Sequence, residues 1–191
     1  MKVSFRKYFP LFGIAGILII LDQWTKHLVR TNIPVGGIWL PAGWENLETY
    51  ARIVHWYNTG AAFGMFQGGS VVFTILAFVV AGAIIWFYHQ IEDSDWLLRI
   101  ALSMQLAGAL GNLIDRLLWE GKVTDFISIG NFAVFNIADA SITVGTGIML
   151  IGVWILEQRD REEQKRQQAE AESDSLDGSG AVSSSGTEAS V

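Results

Sequence analysis

The chain has 191 residues, is 51% hydrophobic, carries eight tryptophans and has a formal net charge of −6. It contains no cysteine, which excludes disulfides, thiolate metal ligands and thiol nucleophiles. Much of the acid lies in the polar C-terminal stretch, and the absence of a basic patch with interleaved aromatics argues against nucleic acid as a partner.

Taken in chain order, Lys2, Arg6 and Lys7 precede an apolar run from Phe9 to Leu21. That is also the pattern of a cleaved signal peptide. No A-x-A-like site follows, however, and the pattern continues helically through DQWTKHLV. At about 1.5 Å per residue, residues 8–29 span a hydrocarbon core of about 30 Å, so a first transmembrane helix is expected there. From Arg30 to Tyr57 the character changes: Pro34, Gly36, Gly37, Pro41 and Gly43 break helices, while pieces such as ARIVHWY suit strands. Trp and Tyr favour the membrane–water interface. A small β-rich cap on the membrane surface is therefore expected over 30–57, with an irregular interfacial loop as the alternative.

Ser70 to Tyr88 is uncharged and reads as a second span. Trp96 to Leu118 reads as a third, apolar in its first half and polar in its second. A fourth runs from Asp139 to Leu156. Residues 1–158 thus form a four-helix membrane domain. The remaining 159–191 have almost no large apolar residues to offset chain entropy, so this tail is expected to be disordered, its first part at most extending the fourth helix. No internal repeat is visible, which weakens a repeat-built transporter reading.

Lys and Arg near the span ends set the orientation. With the N-terminus inside, the inner flanks carry Lys2, Arg6, Lys7, Arg99, Arg159, Arg161, Lys165 and Arg166, and the outer flanks only Arg30, Arg52 and Lys122. Both termini are expected in the cytoplasm. Asp22 and Lys26 then lie in the outer part of helix one, and Asn112, Asp115 and Arg116 in the outer part of helix three. Asp125 falls in an outer connector, and Asp139 opens helix four. The polar groups gather at one depth, near the extracytoplasmic face, whereas an ion pathway would continue inward.

Each group also has an ordinary structural explanation. Asp22 and Lys26 suit an i, i+4 ion pair. Asn112, Asp115 and Arg116 share one helix face, and an Asp115–Arg116 contact is one structural use for them. NTGAAFG at 58–64 is either a turn or a close backbone approach to a ligand. Asp125 is a loop carboxylate and Asp139 a helix N-cap, or the two meet, share a proton and act as an acid/base pair. In the second case one carboxylate takes a proton from water as it attacks a peptide carbonyl, and the other donates to the carbonyl oxygen. The three histidines are too dispersed for a recognisable metal site, and no serine lies in a G-x-S-x-G context. A small transporter and a non-enzymatic assembly factor are the competing function classes.

DQWTK (22–26), NTGAAFG (58–64), GALGNLIDR (108–116), VTDF (123–126) and FNIADA (135–140), in this order, resemble lipoprotein signal peptidase, also called signal peptidase II. The resemblance implies an α-helical bacterial inner-membrane aspartic endopeptidase with four transmembrane helices and a small extracytoplasmic β-cradle. It implies cleavage of diacylglyceryl-modified prolipoproteins just before the lipid-modified cysteine. The dyad it implies is Asp125 and Asp139. It assigns Asn58, Asn112, Arg116 and Asn136 to the substrate site, and Asp22, Lys26 and Asp115 to supporting it. It further implies no cofactor or metal, membrane lipids as surroundings, a monomer, and globomycin as an inhibitor. Thr124 departs from the family, where a second Val is frequent.

Overall fold

The computed structural model describes residues 5–60, 66 and 68–183. Among the described residues, four helices are long and apolar enough to cross a membrane. These are α1 (Phe5–Asn32), α2 (Ser70–Tyr88), α3 (Trp96–Leu118) and α4 (Ile137–Ser183). In α2 the Val, Ile and Phe that favour strands in water form a helix. A bilayer leaves no other way to satisfy the backbone within one segment. α2 buries only Ala77, Ala81, Ile84 and Tyr88 and exposes Val71, Val72, Ile75 and other large apolar residues, the surface a lipid-facing helix needs. α3 is the most enclosed of the four and buries small residues (Ala101, Ser103, Ala107, Gly108, Ala109, Gly111) that let its neighbours approach closely. A Cβ on Gly108 would collide with the Ala138 carbonyl oxygen and the Ile142 side chain, and one on Gly111 would lie 2.8 Å from Asp22 Oδ2. These two glycines seat the start of α4 and the polar part of α1 against α3.

A three-stranded antiparallel sheet completes the first unit: β1 (Ile38–Trp39), β2 (Ala51–Asn58) and β3 (Val123–Ile129), in that order. The cap expected over 30–57 is therefore incomplete without a strand from beyond α3, and Asp125 lies on that strand rather than in a loose connector. β3 pairs with β2 through Asn58↔Val123, Tyr57↔Thr124 and Trp56↔Asp125, and the register shifts between Ile53 and Trp56. Strand alternation turns Phe126 into a small core with Val29 and Ile33 of α1, against which Ile53, Ile127 and Ile137 pack. That core ties the sheet to the bundle.

The chain divides into two compact units, residues 1–150 and 151–191. The tail expected to be disordered is helical as far as Ser183, and residues 184–191 lie outside the described residues. Residues 159–168 are all exposed. Their Glu, Gln, Arg and Lys are good helix formers, and Arg161 pairs with Glu157 one turn earlier at 2.7 Å. A composition poor in large apolar residues is compatible with a solvated helix. Residues 61–64 of NTGAAFG also lie outside the described residues.

Gly108→Ala is expected to lower the melting temperature in detergent and to cost about 1–3 kcal/mol, because the group it meets first is backbone that cannot rotate away. A thermal scan of the purified variant beside the parent checks this.

Candidate active site

The polar residues of the first unit converge on one cluster. α4 opens with a capping box. The Asn136 side-chain oxygen accepts from Asp139 N at 2.9 Å, while Asn136 N donates to Asp139 Oδ2 at 3.2 Å. Asn136 is thus the N-cap and Asp139 the third residue of the helix, a shift from the N-cap position expected for Asp139. The Asp139 side chain is half-buried, and its Oδ1 accepts from Asn112 Nδ2 of α3 at 2.7 Å.

Asp125 approaches the same point from β3. It is 1% exposed, and both its oxygens are engaged: Asn136 Nδ2 donates to Oδ1 at 2.7 Å and Asn58 Nδ2 to Oδ2 at 3.1 Å. Asn136, itself fully buried, therefore holds both carboxylates, one through its amide group and one through its backbone. Burial first, and then the neighbouring Asp139 charge, push the Asp125 carboxyl up to about 7, against the bonds from Asn58 and Asn136. A carboxyl that holds its proton near neutrality beside a second carboxyl is an arrangement chemically able to pair a general acid with a general base.

Behind this pair lies a second, dry layer. Lys26 Nζ meets Asp22 Oδ2 at 2.9 Å and Asp115 Oδ2 at 3.4 Å, all three essentially unexposed. It also donates to Asn112 Oδ1 at 3.0 Å, fixing the amide so that its nitrogen faces Asp139. Asp22 Oδ1 accepts from Ala138 N at 2.9 Å, which holds the first turn of α4. Asp115 Oδ2 accepts from Thr124 N at 2.9 Å, which holds β3 next to Asp125. The expected shared face of Asn112, Asp115 and Arg116 separates in three dimensions. Asp115 turns to α1 and β3, Asn112 to Lys26 and Asp139, and Arg116 to the cavity.

That cavity, about 470 Å³, is lined by Asn58, Phe73, Asn112, Arg116, Asp125 and Asp139, with the apolar segment 132–135 along one side. Arg116 reaches it with two long bonds among the described residues, 3.4 Å to Asn112 O and 3.5 Å to Gly60 O. Its guanidinium lies 5.4 Å from the Phe73 ring centre, and its buried Nε has no partner among the described residues. A further cleft of about 300 Å³ shares Phe73, Asn112, Arg116 and Ile142 and continues along α2 and α3 past Ala77, Val80 and Gln105. Asp22, Lys26, Asp115 and Asn136 do not line the cavity; they stand behind its walls. Two members of the buried layer were not singled out from sequence. Gln23 Nε2 bridges Asp22 Oδ2, Gly111 O and Asp115 Oδ1 at 3.0–3.1 Å. Arg30 meets Asp115 and Thr124. Both lie on the α1 face already marked by Asp22 and Lys26, at i+1 and i+8 from Asp22, and that spacing was the available signal. Among the described residues no group of three or more His, Cys, Asp or Glu comes together to hold a metal ion.

Comparison with known proteins bears on this arrangement. The family model described as signal peptidase (SPase) II matches residues 14–155. A lipoprotein signal peptidase of Shouchella clausii is 37% identical over 156 residues, covering 80% of this chain and 97% of the relative. One of Staphylococcus aureus is 33% identical over 166 residues, covering 84% and 97%. Two solved structures described as bacterial membrane enzymes, at 2.3 and 1.9 Å resolution, superpose with TM-scores of 0.67 and 0.64. Both are 32% identical and cover 75% of this chain, and this chain covers 87% and 91% of theirs. With four spans, a three-stranded sheet and a match running through every part of the polar cluster, the chain belongs to the signal peptidase II family of membrane-embedded aspartic proteases.

Proposed function

We propose that this protein removes the signal peptide from diacylglyceryl-modified prolipoproteins, cutting before the lipid-modified cysteine, with Asp125 and Asp139 as the catalytic pair. The observation that carries the reading is the paired hold of Asn136 on both carboxylates at the wall of one cavity. Asp125, buried and proton-retaining, is the acid; Asp139, half-buried and open to the cavity, is the base. Asp139 takes a proton from water as the water oxygen bonds to the scissile carbonyl carbon, and Asp125 gives its proton to the carbonyl oxygen. The resulting gem-diol collapses. Its C–N bond breaks as the proton held by Asp139 passes to the amine, and one hydroxyl proton returns to Asp125. Water is consumed, and a carboxyl terminus and a free amine are released.

The remaining residues bind and orient. Arg116 and Asn58 present donors to an extended peptide between helices, Asn112 fixes Asp139, and Asp22, Lys26 and Asp115 hold the layer behind. The second cleft along α2 and α3, lined largely by apolar side chains, suits the apolar signal segment, with acyl chains leaving sideways into lipid. Positive flanks support both termini in the cytoplasm and a site near the outer face of the bacterial inner membrane. The chain acts as a monomer, and globomycin occupies the same cavity.

Asp125→Asn and Asp139→Asn are each expected to lower cleavage of a diacylglyceryl-modified prolipoprotein by more than about 10³-fold while globomycin affinity is kept. Full turnover by either variant would sink the pair. The proton on Asp125 also has a consequence for stability. Its pKa of about 7 in the fold lies above the ordinary carboxylate value of about 3.9, so the folded state holds a proton that the unfolded chain releases. Its contribution to stability is full below about pH 4 and is lost as pH rises through about 7. Asp125→Asn, which cannot ionise, should therefore show a smaller fall in melting temperature than the parent between pH 5 and pH 8. Identical falls would contradict the raised value. Activity is expected to withstand EDTA, because both proton transfers are assigned to carboxyls; loss on chelation with recovery on adding zinc would contradict that assignment.

A further inference from the structure

Asp125 sits where its strand is least regular. The β2–β3 register shifts between Ile53 and Trp56, the residue opposite Asp125. On the far side Phe126 N and Ile127 N both converge on Phe135 O, at 3.0 and 2.8 Å. The regular ladder thus reaches Asp125 from one side only, through Thr124 and Val123, and a shift in register re-aims a side chain whose exact placement then needs further contacts. The neighbouring residue supplies what the ladder lacks. Thr124 is fully buried, and both ends of it are held: its backbone N donates to Asp115 Oδ2 at 2.9 Å, and its hydroxyl oxygen accepts from Arg30 Nη1 at 3.0 Å. Arg30 Nη1 also meets Asp115 Oδ1 at 3.4 Å, closing a ring of three residues.

Arg30 is itself fixed. Its side chain is 10% exposed, and its guanidinium lies 4.7 Å from the centre of the Trp119 ring at the end of α3. It also balances charge. Asp22 and Asp115 are two buried carboxylates, and Lys26 is one cation; Arg30 is the second.

We propose that Arg30 is a positioning residue for Asp125, acting through the Thr124 hydroxyl. The Arg30–Asp115–Thr124 ring sets the lateral placement of the acid, and Trp119 is the surface that orients the guanidinium. This rests on the reading of Asp125 as the catalytic acid. The contact is indirect, so Arg30 changes where the carboxyl sits and leaves its proton affinity alone.

The test uses the full-length protein in detergent with a diacylglyceryl-modified prolipoprotein. It compares Arg30→Met, Thr124→Val and the double variant, with Asp125→Asn as reference. Thr124→Val exchanges a hydroxyl for a methyl at nearly constant volume and installs the residue frequent in the family, so a loss it causes belongs to the Arg30 contact of this chain, and it keeps the proposal testable even if Arg30→Met fails to fold. Each single variant is expected to lower kcat about tenfold per folded molecule, with KM within about twofold, since a small misplacement of a reacting group costs rate before it costs binding. The double variant is expected to be no slower than Arg30→Met, because both changes break one ring. The pH at which activity is half lost should stay with the parent.

An unchanged kcat in Thr124→Val or Arg30→Met would overturn the proposal, whatever happens to melting temperature. So would a double variant slowed by the product of the two single effects, or a pH midpoint that moves with Arg30. Asp125→Asn separates the two levels. If it cleaves at the parent rate the catalytic pair itself is wrong; if it is inactive while Arg30→Met is fully active, only the positioning role fails.

Discussion

A single ammonium organises this molecule. Lys26 is wholly buried between Asp22 and Asp115, and each of these carboxylates also accepts from a backbone N–H beside one of the two proposed catalytic aspartates. Asp22 holds Ala138, the residue before Asp139, and Asp115 holds Thr124, the residue before Asp125. Two segments far apart in sequence are thereby referred to one cation on α1. Breaking such a buried set by removing one member typically costs about 3–5 kcal/mol, because an uncompensated charge is left in a dry interior. Neutral replacement of the whole set by apolar groups would cost little stability. It would, however, remove the hydrogen bonds that fix both backbones, so the ionic cluster is better understood as a positioning frame than as a source of stability.

The packing around the frame follows from the same need. Lipid supplies no hydrophobic drive between helices, so close approach depends on small residues. Gly108 and Gly111 leave room for Ala138 and Asp22, which lets the Asp22–Ala138 hydrogen bond form at 2.9 Å. The sheet serves the site as well. Phe126 anchors β3 in the apolar core with Val29 and Ile33, and strand alternation sends Asp125 the other way, to the cavity. Asn136 then joins the two halves, since one residue caps α4 and bonds both carboxylates.

Several features were legible as residue type and spacing. The uncharged run 70–88 forms the helix Ser70–Tyr88, and the Asp22–Lys26 spacing forms the ion pair it suggested, at 2.9 Å. Carboxylates and amides embedded in apolar segments had to be satisfied somewhere, and satisfying each other was the cheapest arrangement open to them. Other features were not legible. Arg30 read as an outer-flank cation because its partners, Asp115 and Thr124, are far away in the chain. Asp125 read as a connector residue because β3 is a strand only by pairing with β2 across the length of two helices. The polar tail read as disordered because composition reports the lack of a core and says little about a solvated helix.

The sequence alone determined four spans, a cap of different composition between the first two, and a set of polar groups costly enough in lipid to require partners. Those are local properties: hydropathy, length and residue type act within a segment. Only the tertiary structure decided which partner each group takes. It decided that Asn136 rather than Asp139 caps the helix, that Asp115 and Arg116 face different ways from adjacent positions, and that Lys26 lies between two carboxylates, nearer to Asp22 than to Asp115. Hydrogen bonds and ion pairs depend on direction and on distances of about 3 Å, and those are fixed only when α1, α3, β3 and α4 have packed.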